Sequence, residues 1–566
     1  MREFPYSGDM RRALRGSIRK LAGGVLVASG LGLCAAVIFH PAQEKESDDL
    51  QKRRADWFYR QRAFPHRYVP AGARQLALRE LDAKLEREQA RRAARIAAPA
   101  AASWTYIGPQ PIQTPYTDPI VSGRVTALAV DPQNANVVYL GGAQGGVWKT
   151  IDGGSNWMPL TDGQASTAIG SLAIDPSNHN VIYAGTGEEN FSGDSYYGAG
   201  LLKSTDAGGS WTQICWVFCG PVGQDGHYGG GARIGGLAVS PANSQVLLAA
   251  VALLGGDGIY RSSDGGNSWT RVLTGAPGSA VLFDSANANI AYAALGDVFS
   301  GQTEGVFKST DGGQTWNPAN GAAGASLDLT KAGRIVLAMA PSRTSTLYVS
   351  LADVTNGNLL GFYKTTDGGA HWSLLSATPD YCTFQCWYDN VVAIQPTNPN
   401  VIYAGGAYTT TLVRSTDGGT SWSTLQSAQN FGFLHADMHA LAFSSDGQTL
   451  YLGNDGGAYV TTQVTAPQPS FTALNNTLGL IQFYPGIAHH PTNPNVVLGG
   501  TQDNGSVLYS GMPAWNDVVC GDGGYAAIDF NTPATMYAAC QQISVNKSTS
   551  SGSFGSWTGA SNGIST

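Results

Sequence analysis

From residue 125 onward, apolar and polar positions alternate in short runs of strand length, each broken by Gly, Asn, Asp or Pro. Val125-Thr-Ala-Leu-Ala-Val-Asp-Pro-Gln-Asn-Ala-Asn-Val-Val-Tyr-Leu-Gly141 is typical: an alternating run, an Asn/Pro turn, then a tyrosine-bearing run. Ile174-Asp-Pro-Ser-Asn-His-Asn-Val-Ile-Tyr-Ala-Gly185 repeats the pattern, and each such segment predicts two strands joined by a tight turn. A short box, Ser/Thr-x-Asp-(x)-Gly-Gly-x-x-Trp, follows. It is read at Thr150–Trp157, Ser204–Trp211, Ser262–Trp269, Ser309–Trp316, Thr365–Trp372 and Ser415–Trp422. Its aspartates, Asp152, Asp206, Asp264, Asp311, Asp367 and Asp417, recur at intervals of 47 to 58 residues, one supersecondary unit each. The box is structural chemistry. Asp accepts backbone amide hydrogens across a hairpin, Gly supplies positive φ, and Trp covers the edge of the unit.

With the hairpin that carries the box, each unit has four strands, the content of one propeller blade. Units begin near residues 123, 168, 234, 278, 333, 390, 438, 484 and 523, and the last three keep the strand pattern without the box. The expected fold is therefore all-β: a β-propeller of about nine four-stranded blade units behind an N-terminal helical anchor and stalk. Either a seven-bladed ring precedes the start of a second, or one large ring holds all nine. Trp104-Thr-Tyr-Ile107 matches the strand after a box, as in Trp211-Thr-Gln-Ile214, and is expected to complete a terminal blade and close a ring. Blade topology also gives a direction. Boxes sit between third and fourth strands, so unexplained polar residues on second-to-third and interblade loops must emerge on the opposite face.

Charge divides the chain. Residues 1–103 carry 20 of the 33 Lys+Arg and 11 of the 40 Asp+Glu, so the remainder is strongly acidic and a poor partner for nucleic acid. Residues 1–20 read as a basic cytoplasmic flank and 21–39 as an uncharged transmembrane signal-anchor, with Cys34 unmodified inside it. Residues 40–103 read as a basic helical stalk bearing Leu76, Leu78, Leu81 and Leu85, and 104–566 as the propeller. This places the propeller in the periplasm or extracellular space of a single-pass membrane protein. A cleaved signal and a secreted product are the alternative. The other six cysteines, Cys215, Cys219, Cys382, Cys386, Cys520 and Cys540, read as disulfide candidates in an exported domain, with four thiolates on zinc as the rival.

Four groups on the predicted functional face lack a repeat explanation. One is the loop 185–198, with Glu188, Glu189, Asn190, Asp194, Tyr196 and Tyr197. Two cysteine-braced loops carry Trp216, Phe218, Asp225, His227 and Tyr228, and Tyr381, Phe384, Trp387, Tyr388 and Asp389. The fourth runs from Phe431 to His439. Its His435-x-Asp437-x-His439 spacing would project three side chains to one side of a strand, where they could tie a loop end to backbone groups, hold a divalent metal or serve acid/base catalysis; no cofactor is required by the sequence. Asp455, Asp503 and Asp522, each beside Gly or Asn, fall at equivalent loop positions and could share a pocket with the triplet.

The boxes resemble the Asp-box (BNR) repeat of sialidase-like, xyloglucanase-type and sortilin-type propellers. His435-Ala-Asp-Met-His-Ala-Leu, Gly453-Asn-Asp-Gly-Gly, Gln482-Phe-Tyr, Gly499-Gly-Thr-Gln-Asp-Asn-Gly505 and Gly521-Asp-Gly-Gly resemble a bacterial sortilin-like group often labelled glycosyl hydrolase. Sialidases carry Arg-Ile-Pro and an arginine trio, but this chain has no Arg-Ile-Pro and seven arginines after residue 103. Xyloglucanase-type enzymes place a catalytic Asp in a first-blade loop, where Gly142-Ala-Gln-Gly-Gly-Val-Trp148 here has Ala143.

These features imply hydrolysis of an extracellular glycan, with Glu188 or Glu189 paired with Asp437 or Asp503 as catalytic carboxyls. Tyr196, Tyr197, Trp216, Trp387, Tyr388, Asp455 and Asp522 are the expected binding residues. The alternative is a non-catalytic sortilin-like receptor or scaffold for peptide or glycan, and a purely structural surface role comes third.

Overall fold

The computed structural model describes residues 60, 73–93, 105–115, 120–190, 192, 195–214, 231–252, 256–297, 305–407, 412–426, 434–541 and 544–564. The flank 1–20, the expected anchor 21–39, Trp104, Asp194, the segment 215–230 with Cys215, Trp216 and Cys219, and Phe431 lie outside the described residues. Within the expected stalk, helix α1 (Ala73–Ala93) leaves Leu76, Leu81 and Leu85 exposed among its charges. No helix among the described residues is long and apolar enough to cross a membrane.

The rest is sheet. Consecutive segments each fold into an antiparallel four-stranded blade: blade 1 (125–159), blade 2 (169–214), blade 3 (233–274), blade 4 (278–318), blade 5 (332–374), blade 6 (391–426), blade 7 (438–473), blade 8 (488–519) and blade 9 (523–559). The first strand of each of blades 1 to 6 packs on the first strand of the next, and that of blade 7 packs on that of blade 1. First strands therefore line the axis, and seven blades close the ring. Blade 8 starts afresh and blade 9 packs on it, which resolves the two ring arrangements in favour of a seven-bladed ring followed by part of a second.

The expected closing role of Trp104-Thr-Tyr-Ile107 is corrected by this packing. No strand is shared across the seam, and residues 105–107 are not in a strand. The segment that does add to a blade comes later: Ile112–Gln113 pairs in parallel with Trp515–Val519 of blade 8, and Ile120–Val121 pairs with it, making a six-stranded sheet. Ile112, Val121, Val507, Tyr509 and Trp515 form the buried core there, which explains why that register is chosen.

Each box works as its residue types predict. In blade 1, Thr150 Oγ1 donates to Asp152 Oδ1 at 2.8 Å and accepts from Gly154 N at 2.9 Å, while Asn156 N donates to the same carboxylate at 2.9 Å. Asp206 and Asp417, held by equivalent serines and amides, are lowered to about 2. Blade 9 retains half the device. Ser548 Oγ still accepts from Gly552 N, and Trp557 Nε1 donates to Gly552 O, although no aspartate is present.

A second repeated contact joins neighbours. A second-strand tyrosine and the third-strand lysine opposite it converge on one box carbonyl of the next blade: Tyr139 and Lys149 on Ala207 O (3.0 and 2.8 Å), Tyr183 and Lys203 on Gly265 O (3.3 and 3.0 Å). Tyr292 and Lys308 do the same on Gly368 O. Each ammonium also lies 5.1 to 5.4 Å from its tyrosine ring centroid.

Trp372 is 2% exposed, packs in the blade 4/5 core and donates to Ala319 O at 2.8 Å. Trp372→Ala is expected to cost about 3–5 kcal/mol, measured as a lower chemical-denaturation midpoint.

Candidate functional site

First strands in this fold carry a recurring irregularity. In blades 1, 2, 3, 4, 5 and 7 the pairing with the second strand skips beside the strand start, at Thr126, Gly170, Gly235, Ser279, Gly333-Arg334 and His439. A bulge of this kind re-aims one side chain. At Arg334 and His439 it turns a cationic or titratable group toward the axis. At Gly235 it makes room, since a Cβ there would collide with the Glu189 carboxylate.

The centre of the site is Arg124, at the start of the first strand of blade 1 and 4% exposed. Its guanidinium binds Glu188 of the blade 2 loop (3.0 Å), Asp455 of the blade 7 loop (3.0 Å) and Asp503 of the blade 8 loop (3.3 Å). Asp455 also accepts from Tyr388 Oη at 3.1 Å and pairs with His439 Nε2 at 2.7 Å. Burial alone would raise the Asp455 carboxyl, but Arg124 and His439 outweigh it and hold it well below the usual range. Asp503 moves the other way. Loss of water, then the charges of Asp522 and Asp455, push it well above the usual range. One guanidinium is shared among three carboxylates in so dry a place, and the upward push falls on the most exposed of them, Asp503 at 21%.

A second acid pair lies beside the first. Asp389 and Asp437 precede the first strands of blades 6 and 7. Burial, then the Asp437 charge, pushes Asp389 well up; burial, then Asp455, raises Asp437. Asp389 Oδ2 and Asp437 Oδ1 are buried without a donor, and the titrations of the two carboxyls are linked. Asp437 and Asp503 share one more property: both are non-glycine residues in the left-handed region, at φ 63 and 58. Such backbone is costly and concentrates at functional sites.

Of the expected site residues, Asp437, His439, Asp455, Asp503, Asp522 and Tyr388 converge, and Glu188 joins them through Arg124. Asp522 Oδ1 accepts the Asp503 backbone N–H at 2.7 Å. Trp387 stacks 5.5 Å from Tyr388. Tyr197 is 37% exposed over the Arg233 guanidinium, 4.4 Å away, while Tyr196 O accepts from Glu188 N. All lie on loops or strand ends opposite the boxes, as blade topology requires.

Three expectations are corrected. The divalent-metal reading of His435, Asp437 and His439 assumed one continuous strand, but the strand begins at Met438 and Asp437 turns left-handed. His435 lies against Gly456 and His439 is bound to Asp455; the only set of three or more ligand atoms within 4.8 Å of one another among the described residues is Asp380, Cys382 and Cys386. Those cysteines are joined as a disulfide, as are Cys520 and Cys540, so four thiolates on zinc are not assembled. Glu188 and Glu189, expected as catalytic acids, are enclosed instead. Glu188 is ion-paired at 0% exposure, and Glu189 is 7% exposed near Arg334 and Arg233, its carboxyl raised by burial despite their charges.

Sequence reasoning passed over Arg124, Arg233 and Arg334. Each stands at a first-strand start in blades 1, 3 and 5, in Gly123-Arg-Val, Ala232-Arg-Ile and Gly333-Arg-Ile, a periodic signal in an arginine-poor body. Ala143, where xyloglucanase-type loops carry an acid, is buried, and its N–H donates to Arg124 O at 3.1 Å.

No protein-family profile and no curated protein matches the chain. Solved structures do. A GH74 enzyme from Niastella koreensis superposes with TM-score 0.59 at 19% identity, over 81% of this chain and 68% of that one. The GH74 xyloglucanase from Xanthomonas campestris gives 0.59 at 19%, over 77% and 68%. An ancestral GH74 enzyme gives 0.58 at 17%, over 81% and 64%, so this chain spans about two thirds of the length of these relatives. At such identities the likeness is one of fold.

Arg124→Met is expected to destabilise the protein by about 3–5 kcal/mol, because Glu188 and Asp455 lose their cation. In the native protein the depressed Asp455 contributes stability above the ordinary carboxylate pKa, lost as pH falls through its folded value. In the variant only His439 still opposes burial at Asp455, so that contribution shrinks. Thermal melts at about pH 4 and pH 8 should show the variant losing more at the higher pH.

Proposed function

We propose that this chain binds an extracellular glycan on the face opposite the boxes and hydrolyses it with aspartates as acid and base. The observation that carries this reading is the pair Asp437 and Asp503. Both are left-handed, partly exposed and raised in pKa, and they flank the buried Asp455–Arg124–His439 cluster. A proton donor to a glycosidic oxygen must hold its proton more firmly than an ordinary carboxyl, and the upward push on Asp503 by burial, Asp522 and Asp455 acts in that direction. Asp437, which accepts the Asp389 proton, is the companion carboxylate that would serve as base or nucleophile. Trp387 and Tyr197 offer aromatic faces for sugar rings. The fold likeness to a xyloglucanase makes branched β-glucans the first substrates to try. With Ala143 in the first-blade loop, the acid must come from elsewhere, and Asp503 supplies it.

Binding without turnover, as in a receptor, is the second reading. It is favoured by the enclosure of Glu188 and Glu189. We also propose export and a membrane tether, from the basic flank before 21–39 and from two disulfides in the propeller. Protease added to intact cells or spheroplasts should then digest the propeller; full protection would refute the tether's orientation.

Asp503→Asn should lower kcat on xyloglucan or another β-glucan by about 100-fold or more with binding retained. In the parent protein, kcat should fall as pH rises through the raised Asp503 pKa. Equal turnover by parent and variant would defeat the assignment, and glycan binding with no turnover in either would select the receptor reading.

A further inference from the structure

On its blade 9 side the loop that carries Asp503 is fastened by Asp522. Asp522 Oδ1 accepts the Asp503 backbone N–H at 2.7 Å, and its other oxygen accepts from the Gln541 side chain. Two backbone bonds reinforce the junction, Gly505 N to Gly521 O at 2.6 Å and Gly523 N to Thr501 O at 3.0 Å. Both residues that position Asp522 are anchored by cysteine. Cys520, left-handed at φ 78, lies two residues before it, and Gln541 directly follows Cys540. Cys520 and Cys540 are bonded to each other. The covalent link therefore ties the start of blade 9 to the end of its second strand, at the point where Asp522 meets Asp503.

We propose that the Cys520–Cys540 disulfide is a positioning device for Asp503: it holds the Asp522 carboxylate against the Asp503 backbone N–H. This rests on reading Asp503 as the proton donor. The physical argument is electrostatic. A neighbouring negative charge disfavours ionisation only while it stays within a few ångströms. Asp522 sits between Gly521 and Gly523; Gly523 packs against the backbone of Gly500, Thr501 and Gly505, whereas nothing lies near the position a side chain would take at Gly521. On that open side the disulfide shortens the excursions of the loop, as a cross-link does for any closed segment.

The test compares the full chain with C520S/C540S and D522N. Carbodiimide with glycine ethyl ester modifies protonated carboxyls, so mass spectrometry of the Asp503 peptide across a pH series reports its protonation without reference to turnover. In C520S/C540S and in D522N the labelling midpoint should move down by about one pH unit. If the chain turns over glycan, the alkaline limb of kcat should shift with it, while KM changes little. An unchanged Asp503 midpoint in folded C520S/C540S overturns the proposal. Should that variant not fold, an unchanged midpoint in D522N overturns it. A shifted midpoint in a protein without turnover would support the positioning role and refute the hydrolytic reading separately.

Discussion

The contact on which the rest depends is the Arg124 guanidinium enclosed by Glu188, Asp455 and Asp503. It joins four blades, and three of its partners come from loops distant in sequence. A cation in so dry a place is stable only when paired, and three acids around one cation cannot all be lowered equally. That imbalance divides the site. It holds Asp455 down, pushes Asp503 up, and leaves Asp503 the most exposed of the three.

The second half of the site follows from the bulges. A propeller blade needs only regular strands, yet the first strands of six ring blades are irregular at the same place beside their start. Small residues there (Thr126, Gly170, Gly235, Ser279) let neighbouring loops approach the axis. Where a larger residue stands, as at His439 and Arg334, it enters the central cluster. Function is thus written as exceptions to a repeat.

Much of the fold was legible because it repeats. Predicted unit starts at 123, 168, 234, 278, 333, 390, 438 and 523 fall within two residues of the observed first strands, since alternation and Asn/Pro turns are local signals. The eighth, near 484, was placed four residues early. The face bearing the site was legible too, because strand order alone determines it. What escaped is non-local. The ring's size depends on whether blade 7 meets blade 1, which no local pattern encodes. The His435 triplet was misjudged because a strand was extended through Asp437, whose left-handed backbone breaks the alternation. Arg124 went unnoticed because its importance lies in partners 64, 331 and 379 residues away.

The ring closes without a shared strand, so blades 7 and 1 meet only through surfaces. Their joint consists of Tyr451 Oη on Ala135 O, Ser122 N on Gly456 O, apolar packing about Leu474, Leu478 and Leu480, and the Arg124–Asp455 ion pair. The clasp of the necklace is therefore also its chemical centre. Acid strong enough to neutralise Asp455 would loosen the circle at that joint.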